Sequence, residues 1–352
     1  MSAYSPLLSI KPSEMAALKN SSDGCKGLIK PIFILSKWLG SNKIDNSIDK
    51  IKDSFSNRTA FLTICDYEDC LGDRPVHHTL KSLYEPDYGY QNWCSFFSDH
   101  SNFVPSLILR DISNLPRQIE NLYAFNRGLL IPFERDKNFS AIESVCSLIS
   151  NVADQGKNIS ILLDFKKLRQ RDIISRVGEA LDYIERIYRK LPEAKIIISS
   201  SSFPDGFTGI ENQQIYEKLA FTQIAQRSPL EVIYSDRGSA RSESIGGGGA
   251  IPYARIDYAT KQSWEFFRAA TEGSDFAKYR QQAEKAIESD NWDQSLKIWG
   301  TQLIESTATG DTYAIKSARD ATSARINIHL HQQAYAISSS DGIYDTDDDW
   351  TD

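Results

Sequence analysis

The sequence predicts an α/β protein: a closed (β/α)8 barrel of the TIM type, with an insertion on its rim and a helical C-terminal extension. Three observations predict it. Eight short apolar runs, many of them β-branched, recur between Leu7 and Tyr234. The runs are continuous and do not alternate with polar residues, which is the pattern of strands buried on both faces. Segments with helical spacing separate most of them, and strand–helix alternation with right-handed crossovers leaves few topologies. Eight strands favour a closed ring, with an open doubly wound sheet as the alternative.

Taken in order, the predicted strands are residues 7–10, 31–35, 60–64, 106–109, 129–133, 159–163, 195–199 and 230–234. Between the second and third, Ile44, Ile48, Ile51 and Phe55 form an apolar helical stripe. Ile142, Val145, Ile149 and Val152 form another, with Asn138 and Ser140 as candidate N-caps, and Val177, Leu181, Ile184 and Tyr188 form a third. Each stripe would lie on one face of the strands and leave charges outside. Residues 66–103, rich in Tyr, Asp and His, read as a loop or small subdomain on the rim. Residues 235–249 (SDRGSARSESIGGGG) read as a polar loop, and 253–259 as one more strand that competes for the eighth place. Helices are expected near 275–289, 292–307 and 313–337. The domain plan is therefore a barrel over 1–260, a helical extension over 261–338 and a tail over 339–352. Six of the last twelve residues are acidic, which predicts a disordered tail.

With 352 residues, 41% of them hydrophobic and 25% charged, the chain can bury a sizeable core. No stretch approaches the ~20 apolar residues of a membrane span, and the first residues lack a signal-peptide layout. A cytoplasmic protein without a membrane partner is expected. The net charge of −7 argues against direct binding of nucleic acid. Five cysteines without a CxxC pair predict free thiols and no zinc ribbon. No cofactor is expected.

Chemistry in such a barrel sits at the C-terminal strand ends. There the sequence places Lys11, Asp66, Arg110, Asp111, Glu134, Arg135, Asp164, Asp236 and Arg237. Asp66, Arg110, Glu134, Asp164 and Asp236 are the catalytic candidates, because adjacent carboxylates raise one another's pKa and can act as acid and base. Lys11, Arg110 and Arg237 are the anion-binding candidates, because guanidinium forks clamp phosphates. Residues 246–249 lack P-loop spacing and read as a linker. His77 with His78, and His329 with His331, are poorly spaced for one metal, and no metal site is expected. Cys65 beside Asp66 reads as a structural thiol whose pKa is raised. Tyr84, Tyr88, Tyr90 and Trp93, in YEPDYGYQNWCSFF, are candidates for a partner surface. So are Asp347, Asp348, Asp349 and Trp350 in the tail, which could occupy a basic groove.

Several segments together resemble the Beta protein family of satellite phages and mobile elements. They are Tyr4-Ser5-Pro6-Leu7-Leu8, Lys11 to Leu18, Lys30-Pro31-Ile32-Phe33, Ile161-Leu162-Leu163-Asp164, Trp264 to Arg268, Ala321 to Arg325, and Asn327 to Leu330. The chain departs from the family pattern near Ala324, where a tryptophan is expected, and at Ala269, where a glycine is expected. The resemblance implies a genetic setting: a protein encoded beside a killer protein called Gop, in an anti-phage defence cassette. It implies no active-site residues. A regulatory component that binds a Gop-like killer protein, as inhibitor or sensor, is the expected function. The alternative is a barrel enzyme acting on a phosphorylated or nucleotide ligand.

Overall fold

The computed structural model describes residues 4–242, 253–271, 273, 275–338, 341–344 and 346. Its architecture is mixed α/β with parallel sheets. Strands β1 (Leu7–Ser9), β2 (Ile32–Leu35), β3 (Ala60–Ile64) and β4 (Phe103–Pro105) form one four-stranded parallel sheet in that order. A second parallel sheet runs β5 (Leu129–Glu134), β6 (Ile159–Lys167), β7 (Lys195–Ser201) and then β9 (Val232–Ser235). Between β7 and β9 in the chain lies the short β8 (Asn212–Gln214). It joins β10 (Arg255–Ala259) and β11 (Ser263–Arg268) in an antiparallel sheet ordered β10-β11-β8.

The two parallel sheets touch at both edges. The Ser5 and Leu7 amides donate to the Tyr234 and Asp236 carbonyls, each at 2.8 Å, and the Leu107 amide donates to the Leu130 carbonyl at 2.9 Å. One side chain from each of the eight parallel strands enters a core of its own: Leu7, Ile32, Phe61, Val104, Leu130, Leu162, Ile197 and Ile233. Their strand neighbours Leu8, Phe33, Leu62, Phe103, Ile131, Leu163, Ile198 and Tyr234 belong to the larger core, with the helices. Both faces of each strand are thus apolar, which is why the sequence runs do not alternate.

Ile48, Ile51 and Phe55 are buried along helix Asp45–Phe55, as the stripe predicts. Other expectations need correction. The fourth strand begins at Phe103, so the run 106–109 only starts its seam with β5. Asn138 and Ser140 do not cap helix Ile142–Ser150; the Asn138 side chain instead accepts the Glu134 amide at 2.7 Å, tying off β5. Helix Ile173–Tyr188 buries Val177, Ala180, Ile184 and Ile187, while Tyr188 is exposed, because the buried stripe is rotated by one position. Residues 66–103 form helices Pro75–Leu83 and Asp87–Asp99 after a short 3-10 turn. Residues 255–259 pair antiparallel, so the eighth parallel strand is β9. The 260/261 position falls in the β10–β11 turn.

The C-terminal segment contributes helices Phe276–Ile287, Trp299–Thr309 and Ala318–Ser338. The last is buried on nearly every side, packed on helix Pro12–Lys19, on β10 and on helix Trp299–Thr309. Asn327 donates to the Ala17 carbonyl at 3.0 Å and accepts the Gly300 amide at 2.9 Å, so one side chain ties three helices. No helix among the described residues is long and apolar enough to cross a membrane.

Candidate functional site

The chain leaves β1 at Ser9 and β9 at Ser235, and the residues that follow line one cavity of about 190 Å³. Lys11, Glu14, Arg237, Arg241 and Thr322 face it. Helix Pro12–Lys19 starts here with Pro12 at its first turn, which carries Glu14 back over the strand end, where it accepts the Ser9 amide at 3.1 Å. Burial pushes the Glu14 carboxyl up to about 7, against the opposing pull of Lys11, that amide, Arg237 and Arg325. Its other oxygen has no hydrogen-bond partner among the described residues. Arg237 pairs with buried Asp164, which also accepts the Lys166 amide at 2.9 Å.

A few residues away, β10, β11 and helix Ala318–Ser338 bring three arginines around one carboxylate, and Arg241, in the segment after β9, lies within their field. Asp257 is 2.8 Å from Arg325 and 3.0 Å from Arg268, with Arg255 at 3.7 Å. Arg268 lies over the Phe207 ring at 3.3 Å, and Arg325 over Phe203 at 4.2 Å. Arg241 donates to the Pro204 and Asp205 carbonyls at 2.9 and 2.7 Å. Burial lowers the Arg268 and Arg325 pKa values to about 10 each; Asp257 resists the shift and the neighbouring guanidiniums add to it. Sequence reasoning missed this cluster, whose members lie up to 84 positions apart (Arg241 to Arg325). The one available signal was the pair Arg268 and Arg325 in the segments that carry the family resemblance.

Asp236 faces a different environment. It accepts the Tyr4 hydroxyl at 2.6 Å and the Gly238 amide at 2.8 Å, and bonds His329 Nε2 at 2.7 Å. Burial alone would raise its pKa, but His329, Tyr4 and Gly238 hold it below the usual carboxylate value. Trp264 stacks on His329 with ring centres 5.8 Å apart. Nearby Glu217, buried and bonded to the Ser202 amide at 3.1 Å and to its hydroxyl, is pushed up to about 8 by burial.

The remaining candidates lie at or near other strand ends. Asp66 pairs with Lys137 at 2.7 Å, and Glu134 pairs with Lys137 and Lys166 at 3.1 and 2.7 Å. Arg110 lies 3.5 Å over the Tyr67 ring, Asp111 accepts the Ser113 amide, and Arg135 pairs with Glu179 at 3.0 Å. The predicted ring of charge is therefore several separate groups, because each side chain is claimed by its nearest opposite charge or ring.

The aromatic segment divides in the same way. Tyr90 and Trp93 are fully buried: the Trp93 indole donates to the Ser106 carbonyl at 2.7 Å, and the Tyr90 hydroxyl accepts the Asp111 amide at 3.0 Å. Both are core residues and correct the expectation of a four-residue partner surface. The Tyr84 hydroxyl donates to the Cys65 carbonyl. Tyr88 is 65% exposed. It opens a run of three left-handed residues, Tyr88, Gly89 and Tyr90, with φ of 51°, 74° and 58°. Beside it runs a groove of about 440 Å³ lined by Gln91, Ser95, Arg117 and Glu120. Asp347, Asp348, Asp349 and Trp350 lie outside the described residues, as do residues 246–249.

His329 and His331 turn to different partners, Asp236 and the Ile343 carbonyl, while His77 receives Lys37 at 2.8 Å. No group of three or more His, Cys, Asp or Glu able to hold a metal occurs among the described residues. All five cysteines are free and buried. The Cys65 thiol is raised by its contact with Cys70 at 3.7 Å, by burial, and by Asp69 and Asp66.

The segments that carry the resemblance noted in the sequence converge here. Lys11, Glu14, Asp164, Arg268, Arg325 and His329 all belong to the cavity, its ion pairs or the adjoining network. The family model described as Beta protein matches residues 4–335. Protein beta of Enterobacteria phage P4 is 27% identical over 353 residues, which covers 94% of this chain and 92% of that protein.

Proposed function

The chain belongs to the Beta protein family, and from that premise we propose that it is the binding and regulatory component of an anti-phage defence cassette. In this reading it holds a Gop-like killer protein inactive. The scaffold is a (β/α)8 barrel over residues 1–260, with 261–338 packed against it. Backbone bonds at both sheet edges and the eight-residue inner core, one from each strand, support closure over an open sheet.

One observation carries the regulatory reading. Left-handed backbone costs a non-glycine residue of order 1 kcal/mol or more and persists where the surroundings enforce it. Here two tyrosines adopt it on either side of Gly89, and the result is an exposed Tyr88 beside a groove. A Cβ on Gly89 would lie 2.9 Å from the Gln118 amide, so the turn is wedged against helix Leu115–Tyr123. Arg117 of that helix reaches over the Tyr88 ring at 5.4 Å. An aromatic anchor flanked by an arginine is the composition of an interface hot spot.

Coexpression with the killer protein tests the reading. Wild type is expected to copurify with it and restore growth, and Tyr88→Ala is expected to bind at least about tenfold more weakly and to lose the rescue. Absence of any complex with wild type, or unchanged binding by Tyr88→Ala, would overturn it.

A further inference from the structure

Charge at the strand-end cavity does not balance. Three cations, Lys11, Arg237 and Arg241, line it with one carboxylate, Glu14; Arg237 also pairs with Asp164, and the adjoining cluster sets Arg255, Arg268 and Arg325 around Asp257. One of those carboxylates, Glu14, is held half-protonated near neutral pH by its burial. The groups are contiguous. Arg255 donates to Thr322 at 3.2 Å, Thr322 and Arg241 line the cavity, and Arg325 reaches Asp257 from the helix that also supplies Thr322.

Buried cations without counter-ions are costly, and a guanidinium N–H left unpaired away from water adds to that cost. One such donor belongs to a residue lining the cavity, the Nε of Arg237, and the Nε atoms of Arg255 and Arg268 in the adjoining cluster are likewise buried without a hydrogen-bond partner among the described residues. A ligand that brings negative charge and several acceptor oxygens would remove both penalties. Guanidinium forks match the paired oxygens of phosphoryl groups. The cavity, about 190 Å³, has room for two linked phosphoryl groups. Lys11 is exposed and Arg241 half-buried, so the cavity opens to solvent on the side where the rest of a ligand would project.

We propose that this cavity binds a diphosphate-bearing compound by its phosphoryl end, with Lys11, Arg237 and Arg241 as the contacting cations and the Asp257 arginines as the supporting positive field. The site is separate from the Tyr88 surface and does not depend on the regulatory reading.

Isothermal titration of the full chain with inorganic pyrophosphate tests the proposal, with orthophosphate and citrate as comparators. Saturable binding of one pyrophosphate is expected, at least tenfold tighter than orthophosphate or citrate and weakening as salt rises. Lys11→Ala and Arg241→Ala are each expected to weaken it tenfold or more. Lys11 is exposed and Arg241 lies at the surface end of its cluster, and circular dichroism confirms that each variant is folded before titration. No saturable binding, equal affinity for citrate, or folded variants that bind like wild type would each overturn the proposal.

Discussion

Glu217 is a buried carboxylic acid whose titration can be tested directly. Its carboxyl is buried, and its pKa rises from an ordinary 4.5 to about 8. The folded state therefore keeps a proton that the unfolded chain releases between those values. Stability from this group is fully present below pH 4.5 and is lost as pH rises toward 8. At about 1.4 kcal/mol per unit, the loss amounts to a few kcal/mol. Glu14, raised to about 7, acts in the same direction over a narrower window. Three histidines with lowered pKa values, His77, His100 and His331, act in the opposite sense below about 6.5. Glu217→Gln keeps an acceptor for Ser202 and removes the titration. Denaturant unfolding at pH 5 and pH 8 is expected to show a smaller fall in stability for the variant than for wild type. An identical fall in both would refute the assignment. None of this was legible in the sequence, where Glu217 is an ordinary helical glutamate.

Among the elements, the terminal helix Ala318–Ser338 has the tightest fit. Helix Trp299–Thr309 approaches it so closely that a Cβ on Gly300 would lie 2.6 Å from the Ala324 carbonyl and 3.0 Å from Asn327 Oδ1. Gly300→Ala is therefore expected to destabilise the protein by about 1–3 kcal/mol, as overpacking does, read as a lower denaturant midpoint at unchanged slope. An unchanged midpoint would show that the helices separate without cost. Ile44, Ile48, Ile51 and Phe55 announced their helix because only one side of it is buried. The terminal helix buries Asn327, His329, Gln332 and Gln333 as well as Ile326 and Leu330. A helix covered on all sides has no apolar stripe to read, so its role over the strand ends could not be recovered from periodicity. The first strand of the hairpin β10–β11 was legible as the run 253–259, but its antiparallel pairing was not, because the second strand, SWEFFR, takes its partners from residues 212–214 and 255–259.

At the scale of the whole molecule, one apolar core runs from Tyr4 to Ile343 and includes Trp93 in helix Asp87–Asp99 and Trp264 in the hairpin. Asp236 after β9 is bonded both to Tyr4 and to His329, which joins the first strand, the last parallel strand and the terminal helix. The strand region and the C-terminal segment are therefore expected to unfold together. Fluorescence of variants that retain only Trp93 or only Trp264 should give the same denaturant midpoint. Midpoints that differ beyond error would establish two independently folding units.

The sequence by itself determined the α/β class, the places of most parallel strands and several of the helices. Those features depend on residues close together in the chain, through continuous apolar runs for the strands and a 3.6-residue periodicity for the helices. It also brought Lys11, Asp164, Asp236 and Arg237 to notice, because strand ends can be located once strands can. Tertiary structure alone decided which of those charges meet. Asp164 finds Arg237, Asp66 finds Lys137, and Arg241, Arg255, Arg268 and Arg325 gather at Asp257. Electrostatic energy depends on distance and on the water excluded between charges, and neither quantity is encoded in any local stretch of sequence.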